Sequence, residues 1–271
     1  MFKDVTLGQY YQGDSLIHRM DPRVKLVGTV VYMVSLFLFS NYYCYALSAI
    51  FLLVVIILTK IPIIYMLRGL KAVLFLMVFT VVCNLFFTPG EPIFKFWILK
   101  LTMEGIQSAI YLMIRLTLLI VSASIMTLTT TPNQLTDGIE KLFKPLAIIK
   151  LPVHEIAMMM SIALRFIPIL MEETDKIMKA QTARGARFDS KNIIVKIKCM
   201  IPILVPLFVS AFRRASDLAL AMEARCYHGG DGRTKMKPLK YAGRDIAAYI
   251  IMFGYLGIII ALGLLRVFGI Y

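Results

Sequence analysis

Apolar residues fall in long blocks along this chain, separated by short basic or turn-forming stretches, and the blocks predict its elements. Runs at 24–40, 42–59, 70–87, 103–127 and 246–268 approach the ~20 residues that a helix needs to cross a bilayer core. Ahead of the first run, Asp21 is suited to cap a helix while Pro22 takes the first helical position, where its missing N–H costs nothing. Arg23 and Lys25 precede the first pair of runs, and Lys60, Arg68 and Lys71 follow it. Basic residues favour the cytoplasmic side, so both ends of this hairpin are expected there and its turn at Asn41 outside. The third run ends at the turn signal Thr88-Pro89-Gly90. Glu91, Lys95 and Lys100 then mix with Phe94, Phe96 and Trp97, a pattern expected of an interfacial segment on the outer surface.

The pattern changes at Thr131. Thr131-Pro132-Asn133-Gln134 supplies a cap, a proline at the first helical position and a glutamine at the third, the capping-box arrangement. Leu135, Ile139, Leu142 and Phe143 recur at helical spacing among charged positions, which predicts an amphipathic helix closed by Lys144-Pro145. Two longer helices are expected between 152 and 240. The first starts apolar at 156–170, broken by Arg165 and Pro168, and turns polar, with Glu172/Lys176 and Asp175/Lys179 at the favourable i,i+4 spacing. Its stop is expected at Gly185, with Arg184 and Arg187 near the carbonyl end. The second follows Lys191, Lys196 and Lys198, runs apolar over 200–212 through Pro202 and Pro206, turns polar, and is expected to stop at Gly229-Gly230. The two apolar pieces could also cross the membrane as a pair, which positive-inside counting leaves open.

Composition sharpens the class. The chain has 271 residues, is 59% hydrophobic and carries a formal net charge of +14; with mean hydropathy +0.77, this is an integral membrane protein. Excess Lys and Arg on the cytoplasmic side accounts for the charge without nucleic acid. The polar N-terminus lacks a signal-peptide core and is expected to stay cytosolic on the mature protein. Cys44, Cys83, Cys199 and Cys226 show no ligand spacing and are expected to be buried thiols, with no metal site. His18, His154 and His228 lack a neighbouring ligand pattern and read as structural or interfacial. No Walker A loop is present, so the chain does not look able to bind and hydrolyse ATP. Glu172-Glu173 read as a solvated helix surface. Arg115, a lone charge in an apolar run, is either a partner contact or conformational lock, or a buried arginine paired within the chain; Arg165 raises the same intramembrane or partner contact.

One pattern occurs twice. Ala180 to Gly185 reads AQTARG, and 41 residues further on Ala221 to Cys226 reads AMEARC. Small residues flank each arginine: Ala183 and Gly185 beside Arg184, Ala224 and Cys226 beside Arg225. Each tip is slim enough to enter a groove while its guanidinium reaches a carboxylate bidentately. Headgroup binding or capping of its own helix is the plainer alternative.

The blocks LGQYYQGDSLIHRMDPRVKL, TLTTTPNQLTDGIEKLFKPL, ALRFIPIL, AQTARGARFD and LALAMEARCYHGGDGR together resemble the transmembrane T component of energy-coupling factor transporters, bacterial ABC-type importers of vitamins and trace metals. Among these the chain is most similar to the shared, group II type. The resemblance implies an all-α integral membrane protein in the bacterial cell membrane, a helical bundle with a cytoplasmic coupling region of long helices. It implies no catalytic activity in this chain and no cofactor of its own, ATP and Mg2+ belonging to two cytosolic ATPase subunits. It also implies a membrane-embedded substrate-binding S component as partner. The family's two Ala-Arg-Gly motifs fall on Ala183-Arg184-Gly185 and Ala224-Arg225-Cys226, which would end coupling helices lodged in the ATPases; Cys226 departs from the glycine of that motif. The unequal tips favour two non-identical ATPases. The expected organisation is a membrane region of four spans at 1–131, a coupling region at 132–244 and a last span at 245–271. A membrane enzyme acting on lipid or prenyl substrates would need clustered carboxylates or histidines at the interface. A self-sufficient secondary transporter would need inverted repeats or a polar midplane site.

Overall fold

Helices make up most of the described residues. The computed structural model describes residues 10–38, 41–89, 92–96, 99–149, 152–186, 188, 193–229, 236 and 238–267. In order these form α1 (Pro22–Leu38), α2 (Tyr42–Thr59), α3 (Ile63–Phe87), β1 (Pro92–Phe96), β2 (Leu99–Thr102), α4 (Met103–Thr129), α5 (Pro132–Phe143), a 3-10 turn (Lys144–Ile149), α6 (Val153–Ala183), α7 (Ile193–Ala224) and α8 (Gly243–Val267). They divide into two compact units, a membrane unit of Gly8–Gly138 with Leu239–Tyr271, and an inserted unit of Ile139–Pro238. Of the expected features, residues 39–40 at the end of the first run, Glu91, Trp97, Arg187, Lys191, Gly230 and Phe268 lie outside the described residues.

Long, apolar helices are the physical signature of a multi-pass membrane protein. By length and composition α2, α4, α6, α7 and α8 can each cross a bilayer, and α3 can do so as a bent pair, Ile63–Lys71 and Val73–Phe87 at 59°. Two expectations are corrected. The third helix starts directly after Pro62 rather than at 70, because proline favours a helix start and Arg68 stays helical with its guanidinium over the Tyr65 ring, 5.2 Å from the centroid. Pro168, Pro202 and Pro206 do not break their helices, which run continuously for 31 and 32 residues. The segment expected to lie at the interface has the backbone of an antiparallel hairpin, with Lys95 opposite Lys100 and Phe96 opposite Leu99.

In the membrane unit α1, α2, α4 and α8 surround a core that includes Tyr32, Leu36, Leu118, Ile125 and Ile259. The Tyr32, Phe51 and Tyr255 rings stack, with centroids 4.3–6.0 Å apart. Hydrocarbon offers no hydrogen-bond partners, so the polar ends of this stack must be satisfied internally. The Tyr255 hydroxyl is bonded to Ser35 Oγ and Ser48 Oγ, both at 2.9 Å, and Tyr32 donates to the Ser48 carbonyl at 3.1 Å. Arg115 obeys the same rule: Nε and Nη2 donate to the Tyr45 hydroxyl at 2.9 and 2.6 Å, with the Phe37 ring 5.1 Å from the guanidinium carbon.

A polar knot closes one end of the unit. Asp21 caps α1 as expected, accepting the Arg23 N–H at 2.9 Å and pairing with its guanidinium at 2.8 Å. Arg23 in turn lies over the Tyr241 ring, 3.8 Å from its centroid. Asp245, in the first turn of α8, accepts the Asp21 N–H at 3.0 Å through Oδ1 and the Ala242 N–H at 2.8 Å through Oδ2. Lys25 is buried and donates to the carbonyls of His18 at 3.1 Å and Thr129 at 2.9 Å. The Tyr11 N–H donates to the Leu128 carbonyl at 2.9 Å, so the segment before α1, both helix starts and the end of α4 meet here. α5 adds to it through Gly138, where a Cβ would sit 3.3 Å from Pro22 Cβ, tighter than side chains normally approach. Its start carries the expected capping box, Thr131 N–H to Gln134 Oε1 at 3.2 Å and Gln134 N–H to Thr131 Oγ1 at 3.3 Å.

His18 makes the knot sensitive to acid. Nε2 faces the Tyr11 carbonyl at 3.1 Å and must be the donor, which leaves Nδ1 to accept from Ser15 Oγ at 2.7 Å. The neutral ring satisfies both bonds. Burial holds its pKa below the ordinary 6.5, and the nearby Lys25 charge adds to that against the opposing Tyr11 bond. Burial pushes the Asp21 carboxyl up, but the Arg23 hydrogen bonds and charge outweigh it and hold the group below 3.8. Both folded values are depressed, so both contributions are present at neutral pH and are lost on acidification, His18 first as pH falls below about 6.5 and Asp21 below about 4. Thermal unfolding of the purified chain should therefore show a midpoint lower at pH 5.5 than at pH 7.5. His18→Asn should be less stable at pH 7.5 but lose most of that pH dependence; an equal slope in the variant would remove His18 from the account.

Candidate functional site

The duplicated arginine tips are the ends of α6 and α7, and the two ends are built alike. The N–H of Ala186 donates to the Gln181 carbonyl at 3.0 Å and that of Gly185 to the Thr182 carbonyl at 2.9 Å. Forty-one residues on, Tyr227 donates to Met222 at 3.0 Å and Cys226 to Glu223 at 2.8 Å. This pair of bonds is the Schellman termination, which needs a left-handed residue just past the helix. Gly185 supplies it at φ +92° and Cys226 at φ +54°.

The second stop is a correction. α7 ends at Ala224 rather than running to Gly229-Gly230. A non-glycine residue gives no sequence signal for the left-handed conformation, yet a small unbranched side chain can adopt it at a cost of about 1–2 kcal/mol. The backbone shape of the glycine motif is thus kept with a cysteine in it. Ala183, Arg184 and Gly185 are exposed, as are Ala224, Arg225 and Cys226. Exposure of Cys226 departs from the expectation of four buried thiols. Each arginine sits where the helix dipole favours a cation.

Behind the tips α6 and α7 touch. Glu173 Oε2 pairs with Arg214 Nη2 at 3.0 Å. Ala211, Ala215 and Ala219 line one face of α7 at i, i+4 and i+8, a small-residue stripe that permits close approach, and with Ile162, Phe166 and Leu170 of α6 they bound a cavity of about 270 Å³. Glu173 is therefore not simply a solvated acid. Neither expected i,i+4 pair on α6 closes to ion-pair distance among the described residues; the carboxylate that matters reaches across to the other helix. Glu173 and Arg214 each lie ten residues before the last helical residue of their own helix, Ala183 and Ala224, so each end extends about 15 Å beyond the contact. Ile156, Met159, Met160, Phe208, Val209 and Phe212 are exposed, an apolar surface suited to lipid or to another membrane protein.

The remaining site expectations are placed as follows. Arg165 is exposed on α6, while Arg115 lies in the membrane unit with Tyr45. His154 Nδ1 meets Glu140 Oε1 at 3.1 Å and His228 is exposed. Among the described residues no three His, Cys, Asp or Glu side chains converge as a metal site. Sequence reasoning missed Lys25 and Asp245; an acid in the first turn of an apolar helix was the available signal for the latter.

One family model and several known proteins match most of the chain. The family model described as cobalt transport protein, CbiQ, matches residues 13–236. The energy-coupling factor transporter transmembrane protein EcfT of Clostridium kluyveri is 53% identical over 250 residues, covering 92% of this chain and 93% of its own. The proteins of the same name from Lactococcus lactis subsp. cremoris and Bacillus subtilis are 48% and 46% identical, over 92% of this chain and 96% and 95% of theirs.

Two measurements test the geometry. A Cβ at Gly185 meets nothing within 4 Å, so Gly185→Ala should cost about 1 kcal/mol through torsion alone, and Cys226→Gly should gain about as much. Amide hydrogen exchange in the last turns of α6 and α7 should speed up in the first variant and slow in the second. For the contact, Glu173→Arg or Arg214→Glu alone should loosen the inserted unit by no more than about 1 kcal/mol, since both side chains are partly exposed. Combining the two should restore protection, and a double variant no better than the singles would show that the pair is incidental.

Proposed function

We infer the function from the premise that this chain belongs to the family of energy-coupling factor transporter transmembrane proteins, and is the multi-pass membrane component of such a transporter. Within that role we propose that α6 and α7 are coupling helices whose arginine tips dock into grooves of two cytosolic ATPases. The observation that carries the reading is the repeated end: two exposed Ala-Arg-small tips, 41 residues apart, closed by the same hydrogen bonds in the same register. A helix end that only needed a stop would not need the same arginine, the same small neighbours and the same left-handed residue twice. The tips differ at Gly185/Cys226 and at Gln181-Thr182/Met222-Glu223, which favours two different ATPases.

The mechanism follows from the parts. ATP and Mg2+ act on the ATPases, and this chain does no chemistry. Movement of an ATPase displaces the tip lodged in it, and a continuous helix carries the displacement inward, because its i→i+4 hydrogen bonds resist bending more than side-chain contacts resist sliding. The exposed apolar surface of α6 and α7 meets the membrane-embedded S component that holds the vitamin or metal, and the displacement reorients it. The N-terminus and the tips lie on the cytoplasmic side in this reading, in line with the Lys and Arg near them.

Arg184→Glu and Arg225→Glu should each weaken ATPase capture. Loss of a charge-assisted pair that docking buries costs about 2–5 kcal/mol and shows mainly as faster dissociation. The double variant should lose the ATPases on affinity purification and support no uptake in proteoliposomes, while staying folded in detergent. Wild-type copurification and uptake by the double variant would refute docking through the tips.

A further inference from the structure

We propose that the membrane unit binds one anionic phospholipid, with an acyl chain in the cavity between α1, α2, α4 and α8 and the phosphate at Arg244 and Lys25. The site lies apart from the arginine tips and does not depend on how they dock.

The cavity holds about 370 Å³, and its lining is almost wholly apolar, with Val24, Gly28, Val55, Met126, Ile251 and Met252 among the contributors. The hydroxyls that reach it are already committed to their own helices. Thr29 donates to the Lys25 carbonyl at 2.8 Å, Ser122 to Leu119 at 2.9 Å and Thr129 to Ile125 at 2.8 Å. Water inside would lack the two to four polar partners that hold buried water in place. A polar solute would fare worse, so the interior calls for hydrocarbon.

Size and shape select a single chain. The cavity runs along α8 from Arg244 to Tyr255, eleven residues or about 16 Å, and its far end is the Tyr32, Phe51 and Tyr255 stack. An apolar passage of that length suits one extended acyl chain. Leu58 and Ile251, both exposed and both in the lining, open the cavity to the bilayer.

The charges at the near end select an anionic headgroup. Arg244 lines the cavity, is exposed, and stands in the first turn of α8, where the helix dipole disfavours a cation. Among the described residues no carboxylate pairs with it: Asp245 spends both oxygens on backbone N–H groups, and Asp21 is taken by Arg23. Lys25 also lines the cavity, is only 8% exposed, and directs two of its three N–H donors to carbonyls with no carboxylate in ion-pair contact. A phosphate at the mouth would meet both cations. Chain and headgroup sites are joined end to end, as in a phospholipid.

Native mass spectrometry of the full-length chain, delipidated and then incubated with either phosphatidylglycerol or phosphatidylcholine of identical acyl chains, tests this. The wild type should retain one phosphatidylglycerol and hold it at least tenfold better than phosphatidylcholine. Arg244→Gln, at an exposed position, should bind the two lipids alike. Ala248→Phe, which fills the cavity, should retain neither. Because that variant could misfold, phosphatidylglycerol with a photoreactive diazirine on its chain should also cross-link the wild type on α8 or α2 at cavity-lining residues such as Ile251 and Val55. No retained lipid, no preference for the anionic headgroup, an unchanged preference in Arg244→Gln, or cross-links only outside the cavity would overturn the proposal.

Discussion

Asp245 fastens the membrane unit to itself. Its carboxylate takes one N–H from the start of α1, 224 residues away in sequence, and one from the turn that starts its own helix. Buried backbone donors left unsatisfied in a low-dielectric setting cost about 1–3 kcal/mol each, so loss of this one side chain would weaken the join between the first and last helices of the unit. Lys25 does the equivalent on the acceptor side, holding the carbonyls of His18 and Thr129. The knot thus joins the start of α1, the end of α4 and the start of α8.

Legibility followed the range of each interaction. The Asp21-Pro22 start, the Thr131 to Gln134 capping box and the stop at Gly185 are made by residues within a few positions of one another, and local chemistry can be read locally. Lys25 looked like one more basic residue flanking an apolar run, because composition cannot distinguish a lysine facing headgroups from one satisfying two carbonyls. Asp245 and the Glu173 to Arg214 pair depend on partners far along the chain, and no spacing rule reaches them. Cys226 was opaque for another reason: the left-handed conformation is announced by glycine, and here a cysteine bears the torsional cost. The tips themselves were legible as a repeated polar pattern, whereas their shared hydrogen-bond register became visible only with the backbone.

The membrane unit also shows how an apolar environment disciplines polar side chains. Arg115, Tyr45, Ser35, Ser48 and Tyr255 each find a partner inside the bundle. Once these are satisfied, the four-helix arrangement leaves a cavity whose walls are hydrocarbon and whose mouth is cationic. The same rule that hides polar groups thus creates a surface complementary to the solvent this protein lives in.

The place of the Glu173 to Arg214 contact has a mechanical consequence. Since it stands equally far from the ends of α6 and α7, the two arms beyond it have equal length, and a pair of levers meeting there has a gearing ratio of one. Two ATPases docked as proposed would therefore act through arms of equal length, neither with the longer lever.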